Sequence, residues 1–431
     1  MKSNFQIIVI VVFVLASIVG VLVFSGAIPI GDGSDTSAGV GTVTLWGTAR
    51  SATINPLLEV FNAENPAYSV NYVEKNPITF DQDLLEALAE GVGPDLFFLP
   101  DNLAYHYANK IFTVPFSSYP IASFNQNFAG AGSVFLAPDG ILAFPMAIDP
   151  LVMYYNRSML DAKGVVFPPA DWDEFMALVE TLTEKDDSGK IIKSGASLGQ
   201  FSNVSNAKDI LSTLFMQAGN SIVVPGGTSF VSDLDDIRGS SDLGPVLRFY
   251  TDFANPLKTA YSWNKSFPNS SDFFSTNNLA FYFGFASELP LLVNRNPNQD
   301  FMVAPMPQIK NAPFKLTGGR ATGLAISASS QNFNTAFIAA SAMATGSFAS
   351  GFSKSLGIAP ARRDLLAVKP SDAYSPTFYN SALYSRSWLD PSSKDSDNIF
   401  RGMVESVLSN SMTPANAIKD ASSKLTLLFL R

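Results

Sequence analysis

Short apolar runs alternate with amphipathic stretches from residue 43 onward, and the alternation predicts strands and helices in turn. Residues 43–46 read as a strand. Asn55 as cap and Pro56 at the first helical position then open a helix that turns Leu57, Leu58 and Phe61 inward. Residues 70–73 form the next strand, and residues 81–90 a helix with Leu84, Leu85 and Leu88 inward and Gly91 at its C-terminal end. Residues 96–99, after Pro94 and Asp95, give a third strand. This β-α-β-α-β order predicts a parallel, doubly wound sheet, whose ligands bind outside the carboxyl ends of the strands. The loops 47–51 and 100–102 are marked on that ground alone.

Two apolar runs, 141–144 and 151–155, follow one another with no turn signal between them, only Met146, Ala147, Ile148, Asp149 and Pro150. Such a pair cannot fold back as a hairpin, so the chain is expected to run straight from one sheet into another, with Pro150 interrupting the ladder at the join. After a short helical turn at 158–162 and Gly164, Asp171 and Glu174 make a capping-box pair. The helix they open buries Trp172, Phe175, Leu178, Val179 and Leu182 and ends at Asp186, Asp187, Ser188 and Gly189. Without a closing glutamate that segment reads as a plain turn rather than a calcium loop. Residues 210–218 and 246–253 are amphipathic, with Trp263 and Phe267 in a polar loop beyond them. The aromatic run 279–285 is expected to cross back to the first lobe, followed by first-lobe strands at 302–306 and 322–326. From residue 334 the pattern is helical, broken at Pro360, Pro370 and Pro376.

Residues 7–24 carry no charge, and 18 residues at 1.5 Å each reach about 27 Å, close to a bilayer's hydrocarbon core. A retained N-terminal transmembrane helix is expected in preference to cleavage after Ser25, Gly26 and Ala27. Lys2 on the short side places the rest outside the cytoplasm, on a Gly/Ser/Thr/Asp tether at 31–41.

Composition narrows the chemistry. The 431 residues are 47% hydrophobic and 15% charged, a globular balance with room for two domains. A net charge of -9 leaves no basic surplus for a nucleic-acid backbone. There is no cysteine, which excludes disulfides, thiol nucleophiles and a lipidated N-terminal cysteine. His106, between Tyr105 and Tyr107, is the sole histidine, so no Ser-His-Asp arrangement has a second candidate. Asp149 and Glu288 could face one another like a glycosidase pair, though neither lies in a catalytic motif. Gly318-Gly319-Arg320 precedes a strand, the wrong order for a nucleotide fingerprint, and no phosphate loop or metal-ligand cluster stands out, so no cofactor is expected.

Gly140 to Pro145, the Tyr155-Asn156 pair and Pro169-Ala170-Asp171-Trp172-Asp173-Glu174 together resemble the family 1 extracellular solute-binding proteins of ABC transporters, the maltose-binding-like group. Asp171 stands where that motif usually has a hydroxyl residue and keeps the N-cap chemistry. The resemblance implies a periplasmic-binding-protein-like type II α/β fold of two doubly wound lobes joined by hinge crossings. On that reading residues 1–30 are the anchor and 31–41 the tether; lobe 1 is 42–147 with 283–330, and lobe 2 is 148–282 with 331–431. It further implies a monomer that captures a small solute, a sugar first of all, and hands it to ABC permease subunits. A sensory subunit for a membrane receptor is the alternative, and a secreted glycan-active enzyme stands third.

Candidate ligand contacts come from both sources. Gly47 and Thr48 lie at a strand's carboxyl end, and Trp46 before them is either core or a stacking surface. Position by position the resemblance adds Asp101 and Asn102, where Leu99 departs from the aromatic of sugar-binding members, and Asp149 at the first crossing. It adds Gln200, Asn203, Phe285, Ser287 and Glu288 as further contacts, and Trp388 as a stacking platform or a packing residue.

Overall fold

The computed structural model describes residues 41–227, 229–235 and 242–430. The expected anchor and tether lie outside the described residues, apart from Gly41. Among the described residues no helix is long and apolar enough to cross a membrane.

The chain opens with β1 (Gly41–Gly47), α1 (Ser51–Glu64), β2 (Tyr68–Glu74), α2 (Phe80–Glu90) and β3 (Leu96–Pro100), as the alternation predicts. β1 and β3 are parallel, Leu45 opposite Leu96, with β2 beside β1. α1 begins four residues before the predicted cap. Ser51 N–H donates to Glu74 Oε2 at 2.6 Å, which fixes the first turn against β2 and leaves Pro56 inside the helix. Gly91 ends α2 at φ 73°, a left-handed conformation open to glycine without cost.

The first crossing is one continuous strand, β4 (Ala143–Asn156). Its first half pairs with the later strand β8, Asp149 opposite Arg320, and its second half carries β6 and β7 on its two sides. Between them come α3 (Trp172–Leu182), β5 (Ile191–Ala196), α4 (Ala207–Gln217), β6 (Leu279–Phe285), β7 (Phe301–Pro305) and β8 (Thr317–Ile326). Asp171 caps α3 as predicted, its Oδ1 accepting from Glu174 N at 2.9 Å.

The second crossing is not where the sequence places it. β6 runs antiparallel to residues 151–155 of β4 and parallel to β5, so the aromatic run stays in the second sheet region, and β7 joins it there. The return is made by β8, whose residues 319–325 pair with the first half of β4 and whose residues 322–326 pair with β3. The expectation fails because an apolar run buried on both faces, as β6 is, reads alike in any sheet.

After β8 come α5 (Phe333–Met343), α6 (Gly346–Ser355), β9 (Ala359–Pro360), β10 (Ser385–Arg386), α7 (Ser393–Leu408) and α8 (Pro414–Leu428). α6 packs on the first sheet region, with Phe348 against Phe61 at 5.8 Å and Phe352 stacked on Phe98 at 4.5 Å. These contacts hold residues 346–355 against the first sheet region. α7 reaches the second region, Phe400 lying 6.4 Å from Phe215 of α4.

Candidate functional site

The carboxyl end of β3, the two crossing strands and α4 converge on a cavity of about 390 Å³. Asp101 and Asn102 enter from β3, Asp149 and Arg320 from β4 and β8, and Lys208 and Ser212 from α4, with Ser387 and Trp388 closing the wall beyond β10. This is the position the doubly wound order predicts for a ligand.

Each polar wall group is held by the elements that meet there. Asp101 Oδ2 accepts from Ala321 N at 2.9 Å and Ser387 Oγ at 2.5 Å, tying β3 to β8 and to the segment after β10. Asp149 Oδ1 accepts from Ser287 N at 3.0 Å. Arg320 donates to Asp209 Oδ2 at 2.8 Å while its guanidinium lies 3.7 Å above the Phe285 ring. Lys208 Nζ reaches Asp390 Oδ2 at 2.7 Å, joining α4 to the Trp388 segment. Ser212 is 2% exposed, and among the described residues its Oγ has no hydrogen-bond partner. A buried hydroxyl without a partner carries a desolvation penalty, which a ligand hydroxyl in this cavity would remove.

Burial raises the carboxyls of both Asp101 and Asp149 to about 6, against the lowering effect of Ser387 on the first and of Ser287 on the second, and of Arg320 on both. A carboxyl whose folded value exceeds its unfolded one holds its proton more tightly in the fold. Its contribution to stability therefore falls as pH rises from about 4 to about 6 and is constant above that. For Asp101 the ceiling on this loss is roughly 3 kcal/mol. Carbon-detected NMR titration of the aspartate carboxyls, assigned with the Asp101→Asn and Asp149→Asn spectra, is expected to show two midpoints near 6; midpoints near 4 would contradict the burial described.

Of the residues marked in the sequence, Asp101, Asn102, Asp149 and Trp388 line this cavity. Thr48 lines an adjoining one of about 410 Å³ that shares Pro100, Asn102 and Thr322 with it. The others stand behind the wall. Trp46 is covered by Lys75 Nζ, 3.5 Å from the ring centroid, and Gly47 lets Phe98 and Tyr72 approach where a Cβ would sit 2.6 Å from Phe98. Gln200 gives its carbonyl to Tyr250 Oη at 2.6 Å, and Asn203 spends its amide on Asn264 O, Phe267 O and the Trp263 indole. Phe285 carries Arg320, and Ser287 holds Asp149. Glu288 accepts from Asn206 Nδ2, Phe285 N and the Tyr282 hydroxyl, so it does not oppose Asp149 across the cavity as a glycosidase pair would.

Sequence reasoning missed Lys208, Asp209, Ser212, Arg320 and Ser387. The one available signal is on α4, where positions 208, 209 and 212 are polar in a helix whose Ile210, Leu211, Leu214 and Phe215 are buried.

The family model of the bacterial extracellular solute-binding proteins matches residues 46–344. The chain belongs to that family. Among solved structures this solute-binding protein is similar to a cyclo/maltodextrin-binding protein complexed with maltotetraose, at TM-score 0.71 and 15% identity over 91% of this chain and 98% of that one. It is also similar to the GacH receptor of Streptomyces glaucescens, solved unliganded and with acarbose, at TM-score 0.65 and 19% identity over 91% and 99%. A sugar transporter of Rhizobium etli in an open conformation aligns at TM-score 0.70 and 15% identity over 89% and 98%. At these identities the likeness establishes the α/β solute-binding fold. A binding protein of Brucella abortus (strain 2308) is 28% identical over 150 residues, 33% of this chain, and the match spans only 36% of that relative's length. By family and by name these relatives are binding proteins, receptors or transporters rather than enzymes.

Proposed function

We propose that this solute-binding protein captures a sugar outside the cytoplasm, in the cavity between the two sheet regions, and delivers it to an ABC permease without chemically altering it. The observation that carries the reading is the buried, unpartnered Ser212 hydroxyl in the same wall as the Asp101 and Asp149 carboxylates, a set of hydroxyl-binding groups. The sugars and acarbose bound by the structural neighbours support the same class. β4 runs continuously through both sheet regions and β8 returns beside its first half, so a ligand touching both walls favours a closed arrangement by its differential affinity.

A thermal-shift screen over mono- and oligosaccharides, sugar alcohols and polyamines tests this. A sugar present at 100 times its Kd is expected to add about 2.7 kcal/mol of stability. A screen in which polyamines stabilise the protein and no sugar does would sink the proposal.

A further inference from the structure

Beyond the Trp388 wall lies a second cavity of about 630 Å³, which shares Met216, Arg386, Ser387 and Trp388 with the first. Its charges are differently composed. Four aspartates, Asp101, Asp149, Asp209 and Asp390, line the first cavity together with Lys208, Arg320 and Arg386. The second is lined by two arginines, Arg363 and Arg386, and among the described residues by no aspartate or glutamate.

Both arginines are fixed without being neutralised. Arg363 Nε donates to Phe128 O at 2.9 Å and Arg386 Nη1 to Ser385 O at 3.1 Å, which leaves most of each guanidinium's donors uncommitted. Among the described residues neither has a carboxylate within ion-pair distance. Burial, and then the Arg363 charge, hold the Arg386 value below that of an ordinary arginine, as expected for two cations facing one volume. Gly130 makes room for the arrangement, since a Cβ there would lie 1.6 Å from Arg386 Nη1. In a chain of net charge -9, a cavity lined by two arginines and, among the described residues, by no acid offers donors suited to an anion.

We propose that the ligand is an anionic oligosaccharide, one ring held among the hydroxyl-binding groups of the first cavity and a uronate carboxylate or sulfate ester placed between Arg363 and Arg386 in the second. Trp388, in the wall common to both cavities, is where the two rings join. The inference rests on the sugar-capture reading and names its substrate class.

Titration calorimetry with maltose, mannobiose and galactobiose, each beside its uronate and its 6-O-sulfate counterpart, tests it at 20 and 200 mM NaCl. At least one anionic form is expected to bind 10-fold or more tightly than its neutral parent, and the uronate and sulfate arms show which anion fits. Arg363→Gln is expected to remove most of that advantage while leaving the neutral parent's affinity within about 3-fold. Arg386 lines both cavities, so Arg386→Gln is expected to weaken binding of the anionic form more than of the neutral one. Added salt is expected to shrink the advantage. Arg363 and Arg386 are both exposed, so their variants should fold; unfolding midpoints verify this, and the wild-type selectivity and salt dependence decide the matter if one variant does not fold. Neutral and anionic forms binding equally well would overturn this inference and leave sugar capture standing. No binding by any glycan would overturn both.

Discussion

Replacing Lys208 by methionine is expected to lower the unfolding free energy by about 3 kcal/mol. The Lys208 ammonium and the Asp390 carboxylate are 14% and 6% exposed and lie 2.7 Å apart. Methionine keeps the aliphatic stem, so the loss comes from leaving the carboxylate buried with only Ser396 Oγ and Ser392 N as donors. A buried charge deprived of its partner costs about 3–5 kcal/mol, whereas replacing both partners by apolar groups is often neutral. The double variant Lys208→Met with Asp390→Leu is therefore expected to recover most of the stability. Because the pair fastens the Trp388 segment to α4, the single variant is also expected to bind sugar more weakly. Urea unfolding of the three proteins measures the first two effects; a single-variant loss under about 1 kcal/mol would mean that solvent screens the pair and that it does not fix the wall.

Removing the Asp149 carboxylate is expected to weaken sugar binding by roughly 10-fold to 150-fold, since a hydrogen bond to a charged group contributes on the order of 1.5–3 kcal/mol. Asp149 lies at the middle of β4, opposite Arg320 on β8, where the two crossing strands face the cavity. Its protein partner is the backbone N–H of Ser287, and its raised value shows that the fold itself gains little from the charge. Asp149→Ala should therefore leave the stability of the ligand-free protein within about 1 kcal/mol of wild type, the loss of one ordinary hydrogen bond. Calorimetry and unfolding on the same preparations separate the effects. Unchanged affinity with a large stability loss would make the residue part of the crossing and remove it from the site.

Strand order marked the loop 100–102 that holds Asp101, just after β3, and the resemblance named Asp101 and Asp149, the latter in the turnless join between two apolar runs. The first lobe's alternation was readable for the same reason. The first half of β8 was not, because TGGRAT has the composition of a loop, whereas its second half was expected as the strand 322–326. The glycines there answer to neighbours far away in sequence: a Cβ at Gly318 would meet Thr213 Oγ1 at 2.4 Å, and one at Gly319 would meet Ser385 Cβ at 2.8 Å. Lys208 and Ser212 were hidden for a related reason. On a largely buried helix a polar residue declares its role only when the opposite wall is in place, and here that wall comes from residues 385–393. Asn203 shows the opposite case, since a polar loop residue that satisfies backbone carbonyls resembles a ligand contact in the sequence.

Capture by closure about β4 and β8 is the central claim, and small-angle scattering of the described fold with and without a saturating sugar from the thermal screen tests it most directly. The radius of gyration is expected to fall on saturation in wild type, and to fall in Asp149→Ala only at the higher sugar concentration its weaker affinity requires. A radius that stays constant while calorimetry shows the site to be full would contradict the account.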